Sequence, residues 1–353
     1  GPGWATSPEG SGAEGLGSSE GSEGSVAVAV LDSSRHTGTP GPLTVTGGAS
    51  SDCTSGSSLS GSDWPLHDEG LTREDLTEQP YFTIDGEKTR DMDDALHVVA
   101  RPEGGWQLSV AIADPTAYVE EGHAADLEAR VRAFTVYLPG QNVTMLPEQL
   151  ADDLCSLREG QERPALACTL NINADGSLGD YRFFAANVKS HAKLVYERVS
   201  DWIEGQGDWA PADNIAEQLH ALRELTEART AWRNEHALVF KDRPDYVFDL
   251  DEAGNVLGIH TEDRRIANRM IEESMIAANA CCADFLASHI GHGIFNVHRA
   301  FEPEKAEAAQ EFLATQDIEV AQEALTELAH YKELKRALES RDDAWLDARL
   351  RRF

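Results

Sequence analysis

Four aspartates, Asp85, Asp91, Asp93 and Asp94, fall within one short stretch, FTIDGEKTRDMDDAL, which occupies residues 82–96. Carboxylates this close repel one another unless a cation joins them. Oxygen ligands of this kind select hard divalent ions, Mg²⁺, Mn²⁺ or Ca²⁺, over zinc. Carboxylate clusters around Mg²⁺ are a common device for phosphoryl transfer, because the metal lowers the pKa of a bound water and clamps a phosphate.

Two other interpretations of the cluster need weighing. An EF-hand calcium loop that starts at Asp85 requires Gly at its sixth position and Glu at its twelfth. Arg90 and Leu96 stand at those positions, so the EF-hand is excluded. A solvated acidic turn without any ligand is common in a chain of this charge. The spacing alone does not separate such a turn from a metal site.

The aspartates stand between two strand patterns. The run PYFTID ends at Asp85, and ALHVVARPEGGWQLSVAIAD, which starts just after Asp94, is typical of a β-hairpin with a Pro/Gly turn. In extended chain Asp91 and Asp93 point to one side and Asp94 to the other. We therefore expect a division of labour, in which some carboxylates bind metal and one orients another group.

The rest of the chain predicts an α+β fold. Hairpin patterns cover residues 165–188 and 246–260, and helical patterns cover 126–134, 193–205, 264–290 and much of the chain after Pro303. A further amphipathic helix carries one apolar stripe, formed by Ile215, Leu219, Leu222, Leu225 and Trp232.

Composition limits the classes of function. The net charge of −32 argues against a broad basic face for nucleic acid, so any such binding must be local. Five cysteines without a disulfide framework or metal spacing suggest a reducing compartment. The sequence contains neither an apolar run long enough to span a membrane nor a secretory signal pattern. We therefore expect a cytoplasmic location and no membrane partner.

The amino-acid composition of the sequence changes near residue 66. Nearly half of residues 1–62 are glycine or serine, which predicts a segment unable to bury enough apolar surface to order. We interpret residues 1–66 as disordered or as the product of a non-native reading frame. Residues 67–353 form the predicted globular part.

Six blocks of the globular part carry a resemblance to a known family. They are TIDGEKTRDMDDAL, VAIADPTAYV, RAFTVYLPG, MLPEQLADDLCSLR, HALVFKDRPDY and RRIANRMIEESMIAAN. In this order they resemble the RNB catalytic domain of the ribonuclease II and ribonuclease R family, most closely bacterial ribonuclease II. The resemblance implies a monomeric, processive 3′→5′ exoribonuclease that hydrolyses single-stranded RNA to nucleoside 5′-monophosphates with Mg²⁺, for which Mn²⁺ can substitute.

The resemblance also implies catalytic roles for the four aspartates. Asp85 and Asp94 would hold the metal most directly, and Asp91 would support them, through water or directly. Asp93 would lie near the terminal ribose.

Four further residues match RNA-binding positions of the family. Tyr137 would stack on the 3′-terminal base and Phe240 at the other end of the nucleotide stack, and such stacking accepts every base. Tyr196 and Glu272 would read the ribose. Without the resemblance, the structural interpretations are favoured: Tyr137 is a core aromatic, Tyr196 part of a helix stripe, and Glu272 a solvated helix charge.

The chain departs from the family at both ends. It stops at ARLRRF, before the family's phosphate-contacting arginine, its catalytic glutamate and its C-terminal OB-type domain. The Gly/Ser-rich segment stands where the family has two cold-shock-type domains. We therefore expect a fragment with an incomplete catalytic domain and low activity alone.

Asp114 and Arg158 are further candidates, as groups that support the active-site residues. The alternative function is a non-catalytic RNA-binding or regulatory module, which would not need all four aspartates.

Overall fold

The computed structural model describes residues 64–67, 70–239, 246–261, 264–297, 299–341, 343–350 and 352–353. Most of the Gly/Ser-rich segment predicted to be disordered lies outside these residues. Trp64, on the far side of the boundary predicted at residue 66, packs against a small cluster around Leu150 and meets the ring of His123 edge-on, 5.6 Å between centroids. The packed part of the chain therefore includes Trp64.

The described residues form an α+β fold, as the sequence predicts. The strands are β1 (Glu74–Asp85), β2 (Asp94–Ala100), β3 (Trp106–Ala113), β4 (Val136–Leu138), β5 (Gln141–Val143), β6 (Glu162–Ile172), β7 (Leu178–Val195), β8 (Tyr246–Leu250) and β9 (Val256–Thr261). The helices are α1 (Ala124–Arg132), α2 (Tyr196–Ile203), α3 (Asp213–His236), α4 (Ile266–Phe285), α5 (Pro303–Ala314), α6 (Glu323–Thr326), α7 (Leu328–Glu339) and α8 (Ala344–Leu350).

Five strands close into a barrel in the order β1-β2-β3-β6-β7. The hairpins β2–β3 and β6–β7 follow the sequence prediction. The barrel closes through parallel pairing of β1 with β7, from Glu74 opposite Ala186 to Asp85 opposite Val195. The helix predicted from Lys193 is wrong at its start: residues 193–195 continue β7, because pairing with β1 satisfies their backbone hydrogen bonds, and α2 begins at Tyr196.

Helices α2, α3 and α4 pack against the outer, apolar face of the barrel. Phe82, Leu96 and Leu108 of the barrel share one buried cluster with Leu219 of α3 and Met270 of α4. The cluster also contains Ile215, Leu222 and Leu225, so the predicted α3 stripe faces the barrel. Opposite this face, the barrel holds mainly small side chains, namely Ala95, Ala111, Ala165, Ala167 and Ala186.

Polar contacts fix α3 on the barrel. The Gln218 side chain accepts a hydrogen bond from the Val98 N–H (3.0 Å) and donates one to the Pro80 carbonyl (2.9 Å). At the β6–β7 turn, the buried Arg229 donates to the Gly176 carbonyl (2.5 Å). Gly176 has φ +86°, and a Cβ there would lie 2.2 Å from the Ala228 carbonyl oxygen. Only glycine therefore allows this turn to approach α3 so closely.

The helices after Pro303 form a second apolar cluster. Leu313 of α5, Leu325 of α6 and Leu338 of α7 meet there with Leu238, which follows α3. The helical pattern predicted for this region is confirmed. Across the part of the chain that the structure describes, none of the helices combines the length and the apolar character needed to cross a bilayer.

Candidate active site

The barrel brings the four aspartates to one end. Asp85 is the last residue of β1 and Asp94 the first of β2, and these strands run antiparallel with Phe82 opposite Leu96. The end of β1 therefore lies beside the start of β2. Asp91 and Asp93 belong to the segment that joins the two strands.

The joining segment is held by buried backbone contacts. The Met92 N–H donates to the Ser156 hydroxyl (3.1 Å), which itself donates to the Arg90 carbonyl (2.6 Å). The Leu157 N–H donates to the Met92 carbonyl (2.8 Å), and the Met92 side chain is buried. Because residues on both sides of Asp91 are fixed, its carboxylate is kept beside the others.

Burial and mutual repulsion together raise the pKa values of Asp85, Asp93 and Asp94 in the cluster. Burial, then repulsion from Asp85 and Asp93, raises the pKa of Asp94 to about 7. Burial, then repulsion from Asp91 and Asp85, raises the pKa of Asp93 to about 6. Burial also raises the pKa of Asp85, against an opposing contribution from Lys193. Such shifts are characteristic of sites that bind cations or move protons.

A hard divalent cation fits this donor set. The cluster offers only anionic oxygens, and one buried oxygen of Asp85 has no hydrogen-bond partner among the described residues. In the conformation described, no three acidic, histidine or cysteine side chains of the described residues are grouped to hold a metal ion. Side-chain adjustment at the cluster must therefore accompany binding. Asp85, Asp91 and Asp94 are the residues that would hold the ion.

The raised pKa values predict the pH dependence of stability without metal. Between about pH 4 and about pH 7 the folded state binds more protons than the unfolded state, so the free energy of unfolding falls as pH rises through this window. A pKa of about 7 at Asp94 corresponds to about 4 kcal/mol. Solvent reaches the partly exposed cluster and screens the repulsion, so we expect about 2 kcal/mol.

Thermal melts in EDTA between about pH 5 and about pH 8 measure this effect. Asp94→Asn should flatten the decline relative to the unmodified chain, while Asp180→Asn, an exposed aspartate of β7, should leave it unchanged. Identical pH profiles for the chain and for Asp94→Asn would show that the cluster carries no such repulsion.

Tyr137 lies beside the cluster and outside the core. It sits on β4 with 64% of its surface exposed, and its hydroxyl donates a hydrogen bond to Asp91 Oδ2 (3.0 Å). The ring is thus available to a ligand at the aspartates. Its stacking on a base stays a prediction.

The other predicted RNA-binding residues are Tyr196, Glu272 and Phe240. Tyr196 follows Val195, the residue paired with Asp85, and is half-buried against the core of the barrel and helices. Glu272 is half-buried on α4 and forms an ion pair with Arg264 (2.9 Å), so it is not a free solvated charge. Phe240 lies outside the described residues.

Asp114 and Arg158 have structural partners. Asp114 forms an ion pair with the nearly buried Arg73 (2.8 Å) and caps the short turn that starts at Pro115. Arg158 pairs with Asp153 (3.0 Å) and lines a cavity of about 380 Å³. Thr89, Arg90, Met92, Glu159, Gln161 and Lys193 complete its lining. Neither predicted residue contacts an aspartate of the cluster in the hydrogen bonds and ion pairs described here.

Lys193 is a site residue that the sequence patterns miss. Its ammonium group donates to the Thr89 carbonyl (2.6 Å) inside the joining segment, and its charge offsets part of the effect of burial, which raises the pKa of Asp85. The sequence patterns placed Lys193 in a helix, whereas pairing of β7 with β1 sets it opposite Thr83. Only this long-range register reveals its position.

A closed barrel flanked by helices, with four carboxylates at one end, defines an α+β domain organised around an acidic site. The RNB domain model matches residues 73–351. The chain belongs to the RNB domain family, the family of ribonuclease II and ribonuclease R.

Relatives and solved structures agree with this assignment. The chain is 54% identical over 290 residues to Exoribonuclease 2 of Edwardsiella piscicida, covering 82% of this chain and 45% of that protein. It thus spans less than half the length of such relatives. Mycoplasma genitalium RNase R in complex with ribose methylated single-stranded RNA superposes with a TM-score of 0.68 at 26% identity, over 74% of this chain and 42% of that one. Yeast Ssd1, a pseudonuclease, shares the fold at 21% identity, with a TM-score of 0.55 over 72% and 31% of the two chains.

Proposed function

We propose that the protein to which this chain belongs hydrolyses single-stranded RNA from the 3′ end, processively and with Mg²⁺, to nucleoside 5′-monophosphates. The observation that carries the proposal is the convergence of Asp85, Asp91, Asp93 and Asp94 at one barrel end in a member of the RNB domain family. Relatives named Exoribonuclease 2 support the reaction and its direction. Mn²⁺ is expected to substitute for Mg²⁺, since both prefer oxygen ligands.

Each residue has a distinct part in this reaction. A bound Mg²⁺ supplies a water of lowered pKa and charge neutralisation at the phosphate. Asp85 and Asp94 would hold the ion directly, and Asp91 would support them while accepting the Tyr137 hydrogen bond. Asp93 would orient the terminal ribose. Lys193 steadies the joining segment through Thr89 and balances part of the negative charge at Asp85.

Substrate contacts are assigned by the same reasoning. Tyr137, exposed beside Asp91, would stack on the 3′-terminal base, and Phe240 would close the other end of the stack. Tyr196 and Glu272 would contact the 2′-hydroxyl, the group that distinguishes RNA from DNA.

We propose that the protein is a monomer in the cytoplasm. The free cysteines support a reducing compartment; they are Cys155, Cys168, Cys281 and Cys282.

The substitution Tyr137→Ala tests the stacking role. Lost stacking, about 1–3 kcal/mol per base, loosens the grip on the last nucleotides, so the limit products should become longer while the initial rate on long RNA changes less. Product ladders on denaturing gels measure this, with Leu138→Ala on the same exposed strand as the matched control. An unchanged end-product length would show that Tyr137 does not hold the terminal base.

Digestion of 5′-labelled oligoadenylate with Mg²⁺, by a version of the chain extended to the length of its relatives, tests the proposed function. We expect progressive shortening from the 3′ end and release of nucleoside 5′-monophosphates, all abolished by EDTA. Internal cleavage, or products that carry 3′-phosphates, would contradict it.

A non-catalytic RNA-binding module is the alternative function. The likeness to a pseudonuclease shows that this fold also occurs in a protein described as lacking nuclease function. Retention of all four clustered carboxylates favours the enzyme, because their mutual repulsion needs a cation to offset it. Tight RNA binding with no Mg²⁺-dependent hydrolysis, in the chain and in a version extended to the length of its relatives, would establish the alternative.

A further inference from the structure

The β8–β9 hairpin exposes an apolar face. Tyr246 stands opposite Thr261 and Phe248 opposite Ile259, so these side chains share one side of the hairpin. The exposed fractions are 62% for Tyr246, 41% for Phe248 and 59% for Ile259. We call Tyr246, Phe248 and Ile259 the aromatic face.

The other side of the hairpin is mixed, with the exposed Val247 beside polar residues. His260 and Asp249 approach each other there at 3.2 Å between Nδ1 and Oδ2. A two-stranded hairpin normally buries its apolar side and leaves its polar side to solvent. Exposure of the aromatic face in addition to the mixed one is therefore characteristic of an interaction surface.

The β8–β9 hairpin lies next to the small sheet formed by β4 and β5. Leu250, at the end of β8, lies against the β4–β5 turn so closely that a Cβ on Gly140 would be 2.9 Å from its Cδ1 atom. That turn belongs to the same small sheet as Tyr137, whose hydroxyl contacts Asp91. β8 therefore lies next to the small sheet that carries Tyr137.

We propose that Tyr246 and Phe248 stack on bases of single-stranded RNA a few nucleotides upstream of the 3′ end. This inference rests on the proposed function, because it extends the path that begins at Tyr137. Aromatic rings accept any base, which suits a strand that moves past the hairpin.

Charge favours base contacts over phosphate contacts at this place. The chain carries a net charge of −32, and the turn between β8 and β9 contains Asp251 and Glu252. Acidic groups repel phosphates, so the hairpin would hold RNA through base stacking rather than through counterion release. Contacts of this kind change affinity without changing its dependence on salt.

Binding to oligoadenylate by fluorescence anisotropy, in EDTA to prevent hydrolysis, gives the first readout. Tyr246→Ala and Phe248→Ala should each weaken binding about 5- to 100-fold, with the slope of log Kd against log salt unchanged. Val247→Ala, on the opposite side of the same strand, is the matched control and should bind like the unmodified chain.

Photo-cross-linking with oligonucleotides that carry one 5-iodouracil gives the second readout. We expect a terminal 5-iodouracil to cross-link Tyr137 and an internal one to cross-link Tyr246 or Phe248. Cross-links to Tyr137 without any to the aromatic face would overturn this inference and leave the proposed function standing. Absence of both, with no RNA binding by the chain or by a version extended to the length of its relatives, would overturn the two together. A dimer that Tyr246→Ala dissociates, with RNA affinity unchanged, would show that a second copy covers the aromatic face and would also overturn it.

Discussion

Asp94→Asn is expected to reduce Mg²⁺-dependent RNA hydrolysis on the order of 10³-fold while leaving the fold intact. Asparagine matches the shape of aspartate but removes the charge that would hold the cation and raise the reactivity of its water. The pKa of Asp94 is raised to about 7, because burial and two neighbouring carboxylates act on it. Initial rates on labelled oligoadenylate, taken in a version of the chain extended to the length of its relatives, measure the loss.

Two comparisons make this result specific to the site. Asp180→Asn removes one negative charge from an exposed position of β7 and should retain full activity. Circular dichroism should show the same helix content for both variants. Comparable rates for Asp94→Asn and for the same extended version without the substitution would place the metal chemistry elsewhere.

Arg233→Ala is expected to lower the free energy of unfolding by about 3–5 kcal/mol. Arg233 of α3 and Glu273 of α4 form an ion pair in which both side chains are more than nine-tenths buried. Removing the arginine leaves a carboxylate whose pKa burial already raises, with Arg229 as its remaining cationic neighbour. Urea unfolding followed by circular dichroism measures the change.

Arg223→Ala on the same helix is the matched control. Arg223 pairs with Glu227 on the exposed side of α3, so its loss should cost about 0.5 kcal/mol or less. Replacing the buried pair together, as Arg233→Met with Glu273→Leu, should recover most of the lost stability, since apolar side chains need no partner. A single variant Arg233→Ala as stable as the unmodified chain would show that the pair contributes nothing to docking α3 on α4.

Local patterns predict the elements of this fold well. Alternation and turn residues mark the hairpins β2–β3, β6–β7 and β8–β9, and the stripe of Leu219 and Leu222 marks α3 and the side that it buries. These features depend on residues close in sequence. The class α+β follows from them.

Long-range pairing accounts for what the patterns miss. Closure of the barrel joins Asp85 to Val195 in register, and no local signal encodes a parallel pair so far apart. For the same reason the local sequence predicts a helix at Lys193, whereas the structure places Lys193 in β7, where its charge acts on Asp85. The sequence alone predicts the aspartate cluster, because the four aspartates are close in sequence. It does not predict the contacts of Tyr137 with Asp91 and of Glu272 with Arg264, because these residues come together only in the folded structure.

Mn²⁺ binding followed by electron paramagnetic resonance tests the central claim, that the aspartate cluster is a divalent-metal site, most directly. At about pH 8, where Asp93 and Asp94 are mostly ionised, we expect one or two bound Mn²⁺ ions per chain, displaced by excess Mg²⁺. Asp180→Asn should bind Mn²⁺ like the unmodified chain, and Asp94→Asn should lose the bound signal. Equal Mn²⁺ binding by Asp94→Asn and the unmodified chain, or no binding by either, would contradict the assignment of the metal to Asp85, Asp91 and Asp94.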